Sequence, residues 1–131
     1  MKELDVSRYG EIPFREKGRD YSGCDCWGIP YLIYRDMLWI ELPLYCEQYQ
    51  NTADRAELAR LTGGEKAAWC EVETPIPYDL VLIQILGHPV HVGVVIGGGK
   101  FIHCMRDVNT TIERLNSPAW RDRIVGYYRR K

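Results

Sequence analysis

Three consecutive glycines, Gly97-Gly98-Gly99, stand between two apolar stretches, residues 90–96 and 100–105, and this arrangement constrains the fold more than any other in the chain. Glycine enters the positive-φ conformations of tight turns without steric cost, and the flanks are rich in valine and isoleucine, so the pattern predicts an antiparallel hairpin with a three-residue loop. If Ile96 pairs with Lys100, opposed residue numbers sum to 196, and Gly93 sits opposite His103 while Met105 sits opposite His91. The two histidines then share one face as diagonal neighbours, roughly 7–8 Å apart at the backbone, with Gly93 leaving space between them. An even-numbered loop, by contrast, inverts every side chain of one strand and separates the rings.

The remaining elements follow from periodicity. Residues 79–86 form an apolar, β-branched run after a turn bracketed by Pro75 and Pro77, which predicts a buried strand broken by Gly87-His88-Pro89. Residues 110–115 and 124–128 read as further strands, and Ser117-Pro118 caps a helical turn holding Trp120. Upstream, Ile29, Ile33, Met37 and Ile40 recur at spacings of four, four and three beside Leu32, so residues 27–40 read as a helix with a core-facing stripe. Pro43 closes that region, residues 44–51 read as a loop lining a cleft, and Thr52 caps a short helix over residues 53–61 stopped by Gly63-Gly64. Residues 1–20 read as an irregular lead-in that touches the core through Ile12 and Phe14. Together these predict an α+β fold, an N-terminal helix packed on a central antiparallel sheet. At 131 residues the chain fits a single domain, 1–131, with one core.

Charge narrows the functions. With 17 basic and 18 acidic residues the formal charge is -1, so no long-range field favours nucleic acid or an anionic membrane as partner. No uninterrupted apolar run approaches the ~20 residues that span a bilayer. Five cysteines without regular spacing do not form a disulfide framework, and the first residues do not read as a signal peptide. The expectation is a protein made in the cytoplasm and carried elsewhere by other means.

The chemistry centres on Ser22-Gly23-Cys24-Asp25-Cys26-Trp27-Gly28, a glycine-flanked turn that delivers Cys26 to the start of the helical segment. A free thiol with a pKa near ~8.5 is only about 3% thiolate at pH 7. Lowering that pKa to ~6 takes roughly 3.4 kcal/mol, more than a helix end supplies, so the turn predicts an imidazole partner. The functional reading is Cys26 as nucleophile, His91 as general base and His103 as the group that orients the base, with the Cys26 backbone N–H as oxyanion donor. Asp25 is a candidate N-cap placing Cys26 in the first helical turn, and Pro30 predicts that this turn is distorted. Each residue has a plainer alternative, since free cysteines are often packed thiols and strand histidines are often structural. Cys24 is the rival nucleophile. A metal site built from Cys24, Cys26, His91, His103 and Cys104 is disfavoured, because Cys-x-Cys lacks the usual zinc spacing and no second cysteine pair completes it. The remaining cysteines, Cys46, Cys70 and Cys104, read as structural, and His88 as an exposed turn residue.

These residues resemble the NlpC-type cysteine peptidases, bacterial and phage enzymes with a compact papain-like fold. The resemblance rests on Asp25-Cys26-Trp27-Gly28 before a helix, Asp79-Leu80-Val81 opening a strand, His91-Val92-Gly93-Val94-Val95-Ile96-Gly97, Phe101-Ile102-His103, and Ser117-Pro118-Ala119-Trp120-Arg121 near the end. It implies the triad Cys26, His91 and His103, substrate contacts from Tyr21, Asp25 and Trp27, no cofactor and no metal. The implied partner is a peptidoglycan stem peptide, cut between D-glutamate and a diamino acid. Gly23-Cys24-Asp25-Cys26-Trp27-Gly28 is most similar to the phage tail branch, which implies a virion-tail location acting at the bacterial cell wall and other phage tail proteins as partners. The family's usual serine after the cysteine is Trp27 here. The competing function is a non-catalytic tail-tip component that uses the same fold as a docking platform.

Overall fold

In the computed structural model the described residues are 2–42, 69–85, 88–106 and 108–130. The expected loop at 44–51, the helix at 53–61 and its Gly63-Gly64 stop, Pro43, Cys46 and Gly87 lie outside them. Among the described residues, β1 (Arg19–Asp20) and β2 (Gly23–Cys24) form a two-stranded ribbon that leads into α1 (Gly28–Ile33). The main sheet contains β3 (Trp69–Val72), β4 (Leu80–Ile85), β5 (His88–Gly97), β6 (Lys100–Met105), β7 (Asn109–Arg114) and β8 (Ile124–Arg130). Its spatial order is β3-β8-β4-β5-β6-β7, and every neighbouring pair is antiparallel.

Side-chain alternation covers both faces of the sheet. Val92, Val94 and Ile96 of β5, with Ile102 and Cys104 of β6, join Ile29, Leu32 and Ile33 of α1 in one core. Val81, Ile83, Val95, Phe101 and Trp120 form a second, smaller core. Asp79, buried ahead of β4, accepts two hydrogen bonds from the Arg129 guanidinium at 2.9 and 2.8 Å and one from the Ile76 N–H at 2.8 Å. That bidentate pair ties the start of β4 to β8.

The glycine-rich hairpin forms with a different turn from the expected one. Gly97 pairs with Lys100, so Gly98 and Gly99, at φ 62° and 72°, make a two-residue turn of the kind that needs positive φ at both central positions. A register shift between Val95 and Gly97 compensates, and the pairs beyond it, Val95↔Phe101 and Val94↔Ile102, keep the sum of 196. Gly93 therefore falls opposite His103. A Cβ there would lie 2.9 Å from the Ile102 carbonyl oxygen and 2.9 Å from Phe101 Cδ2, so the position excludes any side chain. Gly93→Ala is expected to lower stability by about 1–3 kcal/mol, the usual cost of overpacking. A urea midpoint unchanged from wild type would contradict this account.

The helical segment departs from its periodicity. The α-helical part runs only from Gly28 to Ile33, continues as a π-helical turn over Tyr34–Leu38, and ends at Trp39 in the left-handed conformation at φ 59° and ψ 31°. The expected stripe is nevertheless core: Ile29, Leu32 and Ile33 are fully buried, with Met37 and Ile40 packed against them. Because α1 starts at Gly28, Pro30 is its third residue, where the backbone needs no N–H partner, and the expected distortion of the first turn is absent. The first helical bond runs from the Tyr31 N–H to the Trp27 carbonyl at 3.1 Å. Cys26 thus precedes the helix rather than occupying its first turn.

The lead-in is irregular, as its composition implies, but it is integral to the domain. Val6, Tyr9 and Ile12 are buried, and Phe14 packs on the core. Backbone bonds join Leu4 N–H to the Ile96 carbonyl at 2.7 Å and Thr110 N–H to the Ile12 carbonyl at 3.0 Å.

Candidate active site

Asp25 shapes the turn that presents Cys26. One of its carboxylate oxygens accepts the Trp27 N–H at 3.2 Å, the Gly28 N–H at 3.1 Å and the Arg19 guanidinium at 2.7 Å; the other accepts the Lys17 N–H at 3.0 Å. It therefore satisfies amides at the entry to α1 as a cap would, although the N-cap position itself is Trp27 and not Asp25 as expected. The resemblance also implied a substrate contact. The side chain is instead completely buried, with both oxygens engaged inside the protein. Trp27 is likewise buried, at 4% exposure, rather than displayed on a surface.

The sulfur of Cys26 meets the sheet where β5 and β6 part. The Val95 N–H and carbonyl bond toward β4, to Asp79 and Tyr78, so by alternation the N–H groups of Val94 and Val92 aim at β6. The β5–β6 pairing runs only as far as Val94↔Ile102, although both strands continue. Cys26, at 3% exposure, belongs to the core cluster that holds Val92, Val94, Ile102 and Cys104 on this side of the sheet, and the Val92 N–H is among the groups that pull its thiol pKa down.

Across the gap the two imidazoles touch. His91 Nε2 lies 2.7 Å from His103 Nδ1, with ring centroids 5.0 Å apart and an interplanar angle of 66°. His103 is wedged between Phe101, at 4.9 Å, and the edge-on Trp120, also at 4.9 Å, and is fully buried. Its Nε2 lies 3.4 Å from Glu113 Oε2. A carboxylate oxygen can only accept, so Nε2 carries a proton. Burial lowers the pKa of His103 despite the opposing pull of Glu113, so the ring is neutral and its Nδ1 is a bare acceptor. His91 then donates from Nε2 in that contact.

Expected and observed electrostatics differ at Cys26. A thiol pKa lowered toward ~6 is the sequence expectation. In the structure the side chain is 3% exposed, and burial, followed by the neighbouring Asp25 charge, pushes the thiol up; the Val92 N–H and Arg19 only partly oppose this. Six residues of α-helix that begin beyond Cys26 add little dipole to oppose that shift.

The other candidates are placed elsewhere. The Cys24 sulfur is fully buried, lies 3.9 Å from the Thr110 hydroxyl, and is held protonated by a hydrogen bond to Cys104 and by burial. Cys104 faces the α1 side, its thiol 3.2 Å from the Cys24 carbonyl, while His103 faces the opposite core. Cys70 is exposed. Tyr21 is 44% exposed, stacks on Tyr9 with centroids 6.0 Å apart and bonds through its hydroxyl to Asp36. With Arg8, Gly10, Glu11 and Ile12 it lines an open groove of about 590 Å³. The sequence reading missed Glu113. Its signal was the alternation of Thr111 and Glu113 in the strand after His103, which becomes informative only once the β6–β7 register is known.

The architecture is that of a papain-like α+β fold, with a buried cysteine just before a helix and a pair of touching histidines on an antiparallel sheet. The chain belongs to the NlpC/P60 family, whose model matches residues 10–129. It is 30% identical over 120 residues to murein DD-endopeptidase MepH of Escherichia coli K12, covering 87% of this chain and 39% of that protein. It is 24% identical over 127 residues to gamma-DL-glutamyl hydrolase of Bacillus subtilis 168, covering 95% of this chain and 28% of that protein. The chain thus spans well under half the length of these relatives. Among solved structures, the NlpC/p60 domain of the peptidoglycan hydrolase SagA superposes with a TM-score of 0.57 at 19% identity, covering 87% of this chain and 86% of that one. An NlpC/P60 family protein from Bacillus cereus ATCC 10987 gives 0.62 at 23% identity, covering 88% and 34%. These similarities establish the shared fold.

Proposed function

We propose that this domain is a cysteine-type peptidase that hydrolyses peptide bonds in peptidoglycan stem peptides, at the bond between D-glutamate and a diamino acid. The observation that carries the reading is the 2.7 Å contact between His91 and His103 on the sheet, with Cys26 buried at the turn into the helix as the nucleophile it would serve. His91 Nδ1 takes the thiol proton as the sulfur bonds to the carbonyl carbon, and the carbonyl electron pair moves onto oxygen. The C–N bond then breaks, and the proton passes from His91 to the departing amine. Water, deprotonated by the same nitrogen, releases the acyl group and restores the thiol.

The substrate class is supported by relatives named for murein and for γ-glutamyl bonds, and the choice of bond by the sequence resemblance. A platform that only docked would have no use for the aligned histidines, which favours hydrolysis. Tyr21 borders the groove proposed to receive the peptide. A phage-tail setting, with other tail proteins as partners, is supported by the double-cysteine motif. Mass spectrometry of purified peptidoglycan after incubation tests the reading. New amino termini on the diamino acid are expected; fragments cut only at the cross-link would move the proposed bond, and no new termini at all would remove the proposed activity.

A further inference from the structure

We propose that Glu113 is a positioning residue that fixes the tautomers of the His103–His91 pair and holds part of the charge that develops on it. The β6–β7 register pairs His103 with Thr111 and Phe101 with Glu113, so Glu113 lies diagonally from His103 on the same face. Its Oε2 lies 3.4 Å from His103 Nε2, and its side chain is 29% exposed. The result is a line of groups in contact, from the partly exposed carboxylate inward: Glu113, His103, His91.

The direction of that line matters. Without an acceptor at Nε2, the neutral His103 ring is free to carry its proton on Nδ1, where it would point at His91 Nε2. His91 would then have to accept there, its proton would move to Nδ1, and the lone pair needed for the thiol proton would be gone. Glu113 forbids that arrangement. When His91 becomes an imidazolium, its Nε2–H donation to His103 strengthens, and His103 passes the polarisation to the Glu113 charge without itself transferring a proton.

Other charged groups near this end of the sheet are engaged elsewhere. Asp25, before α1, and Arg19, in β1, pair with one another at 2.7 Å. Arg123 sits over the Trp120 ring, 5.9 Å from its centroid. On β7 Thr111 is not ionisable at working pH. Glu113 is an acidic group in contact with His103.

This inference rests on the hydrolase reading, but one of its tests does not. Nitrogen-detected NMR of the imidazoles reports the tautomers directly: His103 is expected to hold its proton on Nε2 in the wild type and to become a tautomer mixture in Glu113→Ala. Glu113→Gln, which keeps an acceptor but loses the charge, should retain the Nε2 tautomer while the histidine pair titrates lower by ~0.3–1 pH unit, the size set by a half-shielded neighbouring charge. The pH profile of Cys26 alkylation, and of peptide release where present, should move to lower pH by a similar amount. Removing a negative charge weakens proton binding at every group along the line, and a purely structural defect would lower the rate without moving the profile. Identical tautomers and superposable profiles in wild type, Glu113→Gln and Glu113→Ala would overturn the proposal. A wild type that releases no fragments would instead count against the hydrolase reading, with the tautomer measurement still deciding the role of Glu113.

Discussion

Cys26→Ala is expected to reduce fragment release from purified peptidoglycan by roughly 10⁴-fold or more while leaving the domain folded. Nucleophile, base and orienting group act as a unit, so deleting the first removes the covalent route whole, and what remains is catalysis by binding and dipoles alone. The fold should tolerate the change. The side chain is small, and it lies before α1 and outside the strands, so its loss breaks no rung of the sheet. A far-ultraviolet circular dichroism spectrum that matches wild type would separate lost chemistry from lost structure. Equal release by the two proteins would exclude Cys26 as the nucleophile.

The second large effect is on stability. Asp25→Ala leaves the Arg19 guanidinium, 8% exposed, without its carboxylate, and at the same stroke removes the acceptor for the Trp27, Gly28 and Lys17 amides. Breaking a buried ion pair from one side costs about 3–5 kcal/mol, and loss of an N-terminal cap costs about 1 kcal/mol, with overlap between the two. Asp25→Asn should cost less, since the amide oxygen can still accept from the turn while the charge is lost. Urea unfolding of both variants checks this order; an alanine variant within 1 kcal/mol of wild type would show that the carboxylate is not what holds the turn.

Much of the site was legible because hairpin arithmetic and glycine chemistry are local. The sum of 196 placed Gly93, His91 and His103 correctly on one face, although the turn has two residues and a bulge supplies the compensation. The core stripe of Ile29, Leu32 and Ile33 was equally plain, because all three lie in the α-helical part, where spacings of three and four keep one face. Non-local facts were not legible. Nothing in the residues near Cys26 announced that Asp25 would be buried against Arg19, or that the helix would start two positions past the cysteine and withhold its dipole. Strand β3 escaped notice because Trp69-Cys70-Glu71-Val72 has no marked alternation and gains its place by pairing with β8. Glu113 was invisible for the same reason: its neighbour is decided by a register, and registers are settled across the sheet.

The 2.7 Å contact between the two imidazoles makes the His91–His103 pair a built-in witness to the chemistry. A proton gained or lost on one ring alters the hydrogen bond to the other, so the ring-nitrogen resonances should register a change of charge at either, with no substrate chromophore attached.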